Sequence, residues 1–158
     1  MPTDPPPDAK GAMAPDAPLT SPKLDAKNGF FGSTFGSKVK EIRGLRQTEK
    51  NGDRAAYKLT GEKTYSRVLL RDVTYTFQKG HLASIGFSVR APSDCKVMAA
   101  ALRADLGSPQ KSASSPTEAY VWKGDKTGLR FAISSGGGCG GVAVSKDLAQ
   151  GEWSGLEP

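Results

Sequence analysis

Histidine, cysteine and long apolar runs are all scarce in this chain, and each shortage removes a class of function. No apolar run approaches the roughly 18 residues a membrane-spanning helix needs, and the start has no signal-peptide n-region or h-region, so a soluble chain without a transmembrane segment is expected. The one histidine, His81, sits beside Gly80 in a turn, where a polar surface residue belongs whether or not it does chemistry. No serine or cysteine has a histidine and an acid at a recognisable spacing, which leaves nucleophilic catalysis little support. Two cysteines and one histidine without a C-x-x-C spacing are too few ligands for zinc, so neither a metal nor a cofactor is expected. Asp72, Glu118 and Asp125 are scattered among positive residues and signal no glycosidase pair. The tract Gly136 to Gly141 lacks the Gly-Lys-Ser/Thr ending of a phosphate loop and precedes a strand; a wide hairpin loop accounts for it better. The expectation is a protein that is not an enzyme.

What the chain does contain is organised around Val73 to Val89. Val73, Tyr75 and Phe77 alternate with Thr74 and Thr76, Gln78 to His81 supply a turn, and Ile85, Phe87 and Val89 alternate with Gly86 and Ser88. That pattern is a β-hairpin with one apolar face, and such a face needs a cover. A helix from about Asp94 to Leu106 follows, with Cys95, Met98, Leu102 and Leu106 at helical spacing and a stop at Gly107 and Pro109. Before the hairpin, Ser37 can cap a short helix through Val39 and Ile42 to Gly44; Arg54 to Leu59 reads as a strand, and a long strand starts at Tyr65. Val68 to Leu70 is a continuous apolar run, consistent with burial on both sides or with a bulge. After the helix, Glu118 to Lys123 and Leu129 to Ile133 form a second hairpin, and Gly141 to Lys146 gives the last strand. Phe30, Phe31 and Phe35 read as core anchors. The predicted fold is α+β: an antiparallel meander of about six strands with two helices on one face.

Residues 1–27 hold seven of the eleven prolines and no aromatic residue, too little apolar surface to offset the entropy of ordering, and are expected to be a disordered Pro/Ala/Asp-rich tether. A single domain over 28–147 and a tail over 148–158, docked by Trp153 alone, complete the organisation. The tether has two readings, the spacer of an exported protein whose signal and lipid anchor have been removed, or an ordinary cytosolic terminus. The cysteines favour export. Cys95 on the buried helix face and Cys139 just before a strand of the same sheet can pair, closing a loop of about 44 residues and stabilising by about 3–4 kcal/mol. Two unrelated buried thiols are the alternative. A periplasmic or secreted protein, tethered through its N-terminus in the lipoprotein case, is therefore expected.

The order helix then three strands occurs twice. Ala56-Tyr57-Lys58-Leu59-Thr60-Gly61-Glu62-Lys63 matches Ala119-Tyr120-Val121-Trp122-Lys123-Gly124-Asp125-Lys126 at a separation of 63 residues, as a tandem α-β3 repeat would. Val97 to Leu106 with Gly107-Ser108-Pro109, then Tyr120-Val121-Trp122 and Leu129-Arg130-Phe131, resembles the helix, Leu-Gly-x-Pro and aromatic-meander pattern of small outer-membrane-assembly lipoproteins. The same pattern, with Phe77 to Ile85 as the meander end of the first half, resembles the tandem-repeat proteins that inhibit β-lactamases. The resemblance implies a non-enzymatic, extracytoplasmic protein-binding module. No Leu-Gly-x-Pro follows the short first helix and no inhibitor loop is recognisable, so the partner class does not transfer.

Charge is the remaining pointer. Residues 28–158 carry 19 Lys and Arg against 12 Asp and Glu, and ten of the positive residues fall between Lys38 and Arg71. Arg67, Leu69 and Arg71 share one face of a strand, with Tyr57 and Tyr65 interleaved nearby. A solvated basic face, a contact for another envelope protein or acidic surface, and a nucleic-acid platform all fit; the absence of an RNP-type motif and the interspersed Glu41, Glu49, Asp53 and Glu62 weigh against nucleic acid. Tyr57, Lys58, Arg67, Arg71 and Trp122 are the residues expected to touch a partner.

Overall fold

Val68–Gln78 and His81–Val89 form the expected hairpin and lie near the middle of a nine-stranded antiparallel sheet. The computed structural model describes residues 21–112, 118–154 and 156. Within them the elements are α1 (Pro22–Lys27), a small hairpin of β1 (Gly29–Phe30) and β2 (Ser33–Thr34), then β3 (Leu45–Asn51), β4 (Arg54–Leu59), β5 (Lys63–Tyr65), β6 (Val68–Gln78) and β7 (His81–Val89). They continue with α2 (Cys95–Leu106), β8 (Gln110–Ser112), β9 (Glu118–Lys123), β10 (Thr127–Ile133), β11 (Cys139–Ser145) and α3 (Gln150–Ser154). The sheet runs β3-β4-β6-β7-β11-β10-β9-β8, with β5 on the first half of β6.

Two meanders, β3 to β7 and β8 to β11, thus meet at a β7–β11 seam. The matching octapeptides begin in β4 and β9, each second from the outer edge of its meander, so the sequence repeat coincides with a repeat of position. At the seam Gly140 and Gly141 are obligatory. A Cβ on Gly140 would sit 2.6 Å from the Phe87 carbonyl oxygen, and one on Gly141 would sit 2.8 Å from that of Arg130 and from the Phe87 ring. Gly141 is flanked in register by Phe87 and Phe131, whose rings stack across it at 6.2 Å.

The helix side of the sheet holds the main core. Tyr75, Phe77, Leu82, Ile85, Phe87, Trp122, Leu129 and Phe131 point there, and α2 covers them with Cys95, Met98, Leu102 and Leu106. Trp122 Nε1 donates to the Gly107 carbonyl at 2.8 Å, so the ring's one polar atom is satisfied where α2 ends. The Cys95–Cys139 bridge forms, with an S–S distance of 2.08 Å, and ties the start of α2 to the start of β11.

Several expectations change. The sheet has nine strands rather than about six, because β3, β5 and β8 pair through backbone hydrogen bonds but carry no apolar alternation to announce them. The long strand expected from Tyr65 is broken by a Ser66–Arg67 turn (φ 49° and 72°) that folds β5 back on β6. Alternation survives from Val68 to Leu70, since Val68 and Leu70 are buried and Leu69 is half-buried; the bulge lies at Asp72, φ 54°. The helix expected from Ser37 is a 3-10 turn, Val39–Glu41, and α2 is led in by a second 3-10 turn over Pro92–Asp94.

The helix count also differs from two. The tether was expected to reach residue 27, but Pro22–Lys27 are helical and Leu24 is fully buried in the main core. Ser21 Oγ accepts from Leu24 N and donates to the Leu106 carbonyl at 3.2 Å, with proline in the first turn of the helix and Asn28 closing it in the left-handed region. Residues 1–20 lie outside the described residues. Asp25 then reaches the β9–β10 turn, accepting from the backbone N–H groups of Asp125 (2.7 Å), Lys126 (3.1 Å) and Thr127 (3.1 Å). A carboxylate in such a cradle makes charge-assisted bonds, and Gly124 leaves room for it.

Two outcomes follow. Cys95→Ala with Cys139→Ala lowers unfolding free energy by about 3–4 kcal/mol in urea titration, from the loop entropy restored to the unfolded chain. Asp25→Ala lowers it by about 1–3 kcal/mol, with Asp25→Asn between it and the parent, because the amide keeps one acceptor oxygen.

Candidate functional site

Strand register decides which side chains share a face, since residues directly opposite one another point the same way. One row of register partners on the face away from α2 reads Arg46, Lys58, Thr74, Gly86, Val142, Arg130 and Val121 from β3 to β9. The next row reads Arg71, Ser88, Gly140, Ala132 and Ala119.

Part of this face is covered by the chain itself. Leu148, Ala149, Trp153 and Leu156 pack on Ala83, Val121 and Val144, with Leu156 at 2% exposure, so the tail docks through more than the expected Trp153. Gly128 supplies the space beneath Leu156 and Trp153, and Lys123 and Lys146 lie 5.4 and 5.8 Å from the Trp153 ring centre. An Arg54–Glu152 pair at 3.5 Å holds α3 near β4. Beyond the tail, Arg46 and Arg71 are exposed, and Lys58, Thr74, Gly86, Ser88, Gly140, Ala132 and Val142 are half-buried.

Asp72 organises the charges there. Its carboxylate lies 3.4 Å from Lys58 Nζ and 4.0 Å from Arg71 Nε, and Thr74 Oγ1 donates to its carbonyl at 3.1 Å. All three charged groups are solvated, so each pair stabilises by only about 0–1 kcal/mol.

Comparison with family models, curated proteins and solved structures finds no match.

Of the five residues expected to touch a partner, the fold brings together Lys58 and Arg71. Arg67 occupies the β5–β6 turn, which ends the shared parity with Leu69 and Arg71. Tyr57 points to the helix side, its ring 5.3 Å from Phe77 and its hydroxyl donating to Gln47 Oε1 at 3.0 Å. Trp122 is a correction: at 1% exposure it is core and cannot meet a partner. Arg46, Asp72, Thr74 and Ser88 were missed. The polar half of the hairpin alternation carried the signal for Thr74 and Ser88; nothing local marked Asp72, whose position depends on the bulge.

Other polar groups are engaged in holding the fold. His81 Nδ1 donates to the Gly36 carbonyl at 2.8 Å, in a groove of about 520 Å³ shared with Lys79, Asp147 and Glu152. The Glu118 carboxyl is held below the usual carboxylate range, first by the hydrogen bond from the Tyr120 hydroxyl and then by Lys111. A carboxyl shifted that way is a poor proton donor near neutrality. Among the described residues no group of three or more His, Cys, Asp or Glu could hold a metal ion, and no helix is long and apolar enough to cross a membrane.

Leu156→Ala tests the tail's part in this surface. It lowers unfolding free energy by about 2–4 kcal/mol and speeds amide exchange in β9 and β10, read by hydrogen exchange.

Proposed function

We propose that this chain is a non-enzymatic binding subunit of the extracytoplasmic space, which meets an acidic protein surface through the sheet face its tail leaves open. The observation that carries the reading is the half-face with Arg46, Lys58 and Arg71 at one side and small or hydroxyl-bearing Thr74, Gly86, Ser88 and Gly140 across its middle. Small side chains let a partner approach the sheet closely, and the cations favour a negative one. Among the described residues Val97, on α2, is the large hydrophobic side chain left exposed, so an apolar interface is not on offer. Strand addition at the β3 edge is also disfavoured, because β3 is strongly charged and carries an irregularity between Gln47 and Glu49.

The Cys95–Cys139 bridge supports an oxidising compartment, since cytosolic thiols are kept reduced. A cell-envelope complex, periplasmic or secreted, is the setting this reading implies. The resemblance to outer-membrane-assembly lipoproteins and to tandem-repeat β-lactamase inhibitors points the same way, as an expectation about fold and role.

Nucleic acid or another anionic surface is the second reading, favoured by the net charge of +6. Single-stranded binding uses aromatic rings as stacking platforms, and the open rows contain none. Tyr57 lies on the other side of the sheet.

The test uses the full chain carrying a photo-cross-linking residue at Ser88 or, as a control on α2, at Val97, incubated with extract of its native envelope. Cross-links to protein are expected from Ser88 and not from Val97. Lys58→Glu with Arg71→Glu is expected to weaken capture by about tenfold or more while the melting temperature moves by only about 2–4 °C, since both ion pairs are exposed. Capture unchanged by the charge reversal overturns the reading; equal loss of binding to any oligonucleotide with rising salt favours the second.

A further inference from the structure

A cleft between the β1–β2 hairpin and β5, independent of the function proposed above, has a built-in oddity. The β1–β2 hairpin turns through Phe31 and Gly32, both with positive φ, at 55° and 79°. Turns of this hand favour asparagine, aspartate or glycine; a phenylalanine there is strained by about 1 kcal/mol or more. What the strain secures is the position of the ring. Phe31 stands on Phe30 at 4.1 Å and edge-on to Phe87 at 5.4 Å and Tyr65 at 6.0 Å, yet remains half-buried rather than enclosed. The ring lines a cleft of about 410 Å³ shared with Lys27, Ser33, Lys63 and Tyr65, within the range of small-molecule sites.

The polar rim of the cleft has one sign. Lys63 Nζ donates to the Phe31 carbonyl at 3.4 Å and lies 5.7 Å from the Phe31 ring centre, so the ammonium is held over the aromatic floor. Lys27 is the second cation, and among the described residues no acidic residue lines the cleft and no ion pair engages either lysine. Asp105, beside the lining residue Tyr65, is engaged: the Tyr65 hydroxyl donates to it, and burial first, then that bond, holds the phenol in its protonated form. An apolar, aromatic floor under two lysines is complementary to a small anion with an apolar body.

We propose that this cleft binds a free amphiphilic monocarboxylate, its carboxylate between Lys27 and Lys63 and its chain against Phe31 and Tyr65. The alternative that Phe31 is only a packing residue makes the opposite forecast for the variants. Decanoate is the probe, decanol its neutral counterpart, titrated into the full chain and followed by amide chemical shifts and calorimetry. Decanoate is expected to saturate below its micellar concentration, shifting Gly29 to Thr34 and Lys63 to Tyr65, while decanol binds about tenfold or more weakly. Lys63→Ala is expected to weaken decanoate about tenfold. Phe31→Gly removes the ring but suits the backbone, so it is expected to lose binding while the melting temperature stays within about 4 °C. Decanoate that fails to bind, binds no better than decanol, shifts other residues or ignores Lys63→Ala overturns the proposal. Should Phe31→Gly not fold, Lys27→Ala combined with Lys63→Ala decides by the same criterion.

Discussion

The β7–β11 seam is the constraint on which the rest of the structure depends. It joins strands some fifty residues apart in the chain, and without it each meander would end in an unpaired edge beneath α2. Long-range pairing of this kind carries a loop-closure entropy that local turns do not. Three features offset it at one place: glycines that allow the strands to close up, the Phe87–Phe131 stack across Gly141, and the disulfide at the start of β11. The bridge therefore acts where the fold has least local support.

The seam also explains why the two faces differ. Bulky residues from both meanders meet on the helix side, where α1 and α2 close over them. On the other side the same strands contribute Thr74, Gly86, Ser88, Gly140 and Val142, too small to build a second full core. The tail covers one end of that side with Leu148, Ala149, Trp153 and Leu156 and leaves the rest to Lys58, Arg71 and Asp72. Among the described residues, this side has more sheet than covering chain.

Much of the core was legible. The alternation from Val73 to Val89, the buried stripe of α2 and the glycine-rich approach of Cys139 to the helix all reflect periodicity or local steric freedom, which the chain states openly. The candidate contact residues were less so. Trp122 and Tyr57 look like binding residues by type, yet strand parity puts both on the helix side; Arg67 looks like a strand residue, yet a turn of positive φ takes it out of the row. Type suggests a role, but facing is set by register, and register at Asp72 and Ser66–Arg67 is changed by left-handed residues with no glycine to mark them.

By itself the sequence determined the class of fold, the central hairpin, the covering helix and the excess of positive charge, because each rests on spacing or composition along the chain; it made the cysteine pairing plausible, and the fold closed it. Tertiary structure alone decided that residues 22–27 and the tail pack as part of the domain, that Asp25 caps a turn a hundred residues away, and that Arg46, Lys58 and Arg71 come to one side of the sheet. Those outcomes depend on which distant backbone groups need partners and which sheet face is left uncovered, and neither quantity exists until the strands are in register.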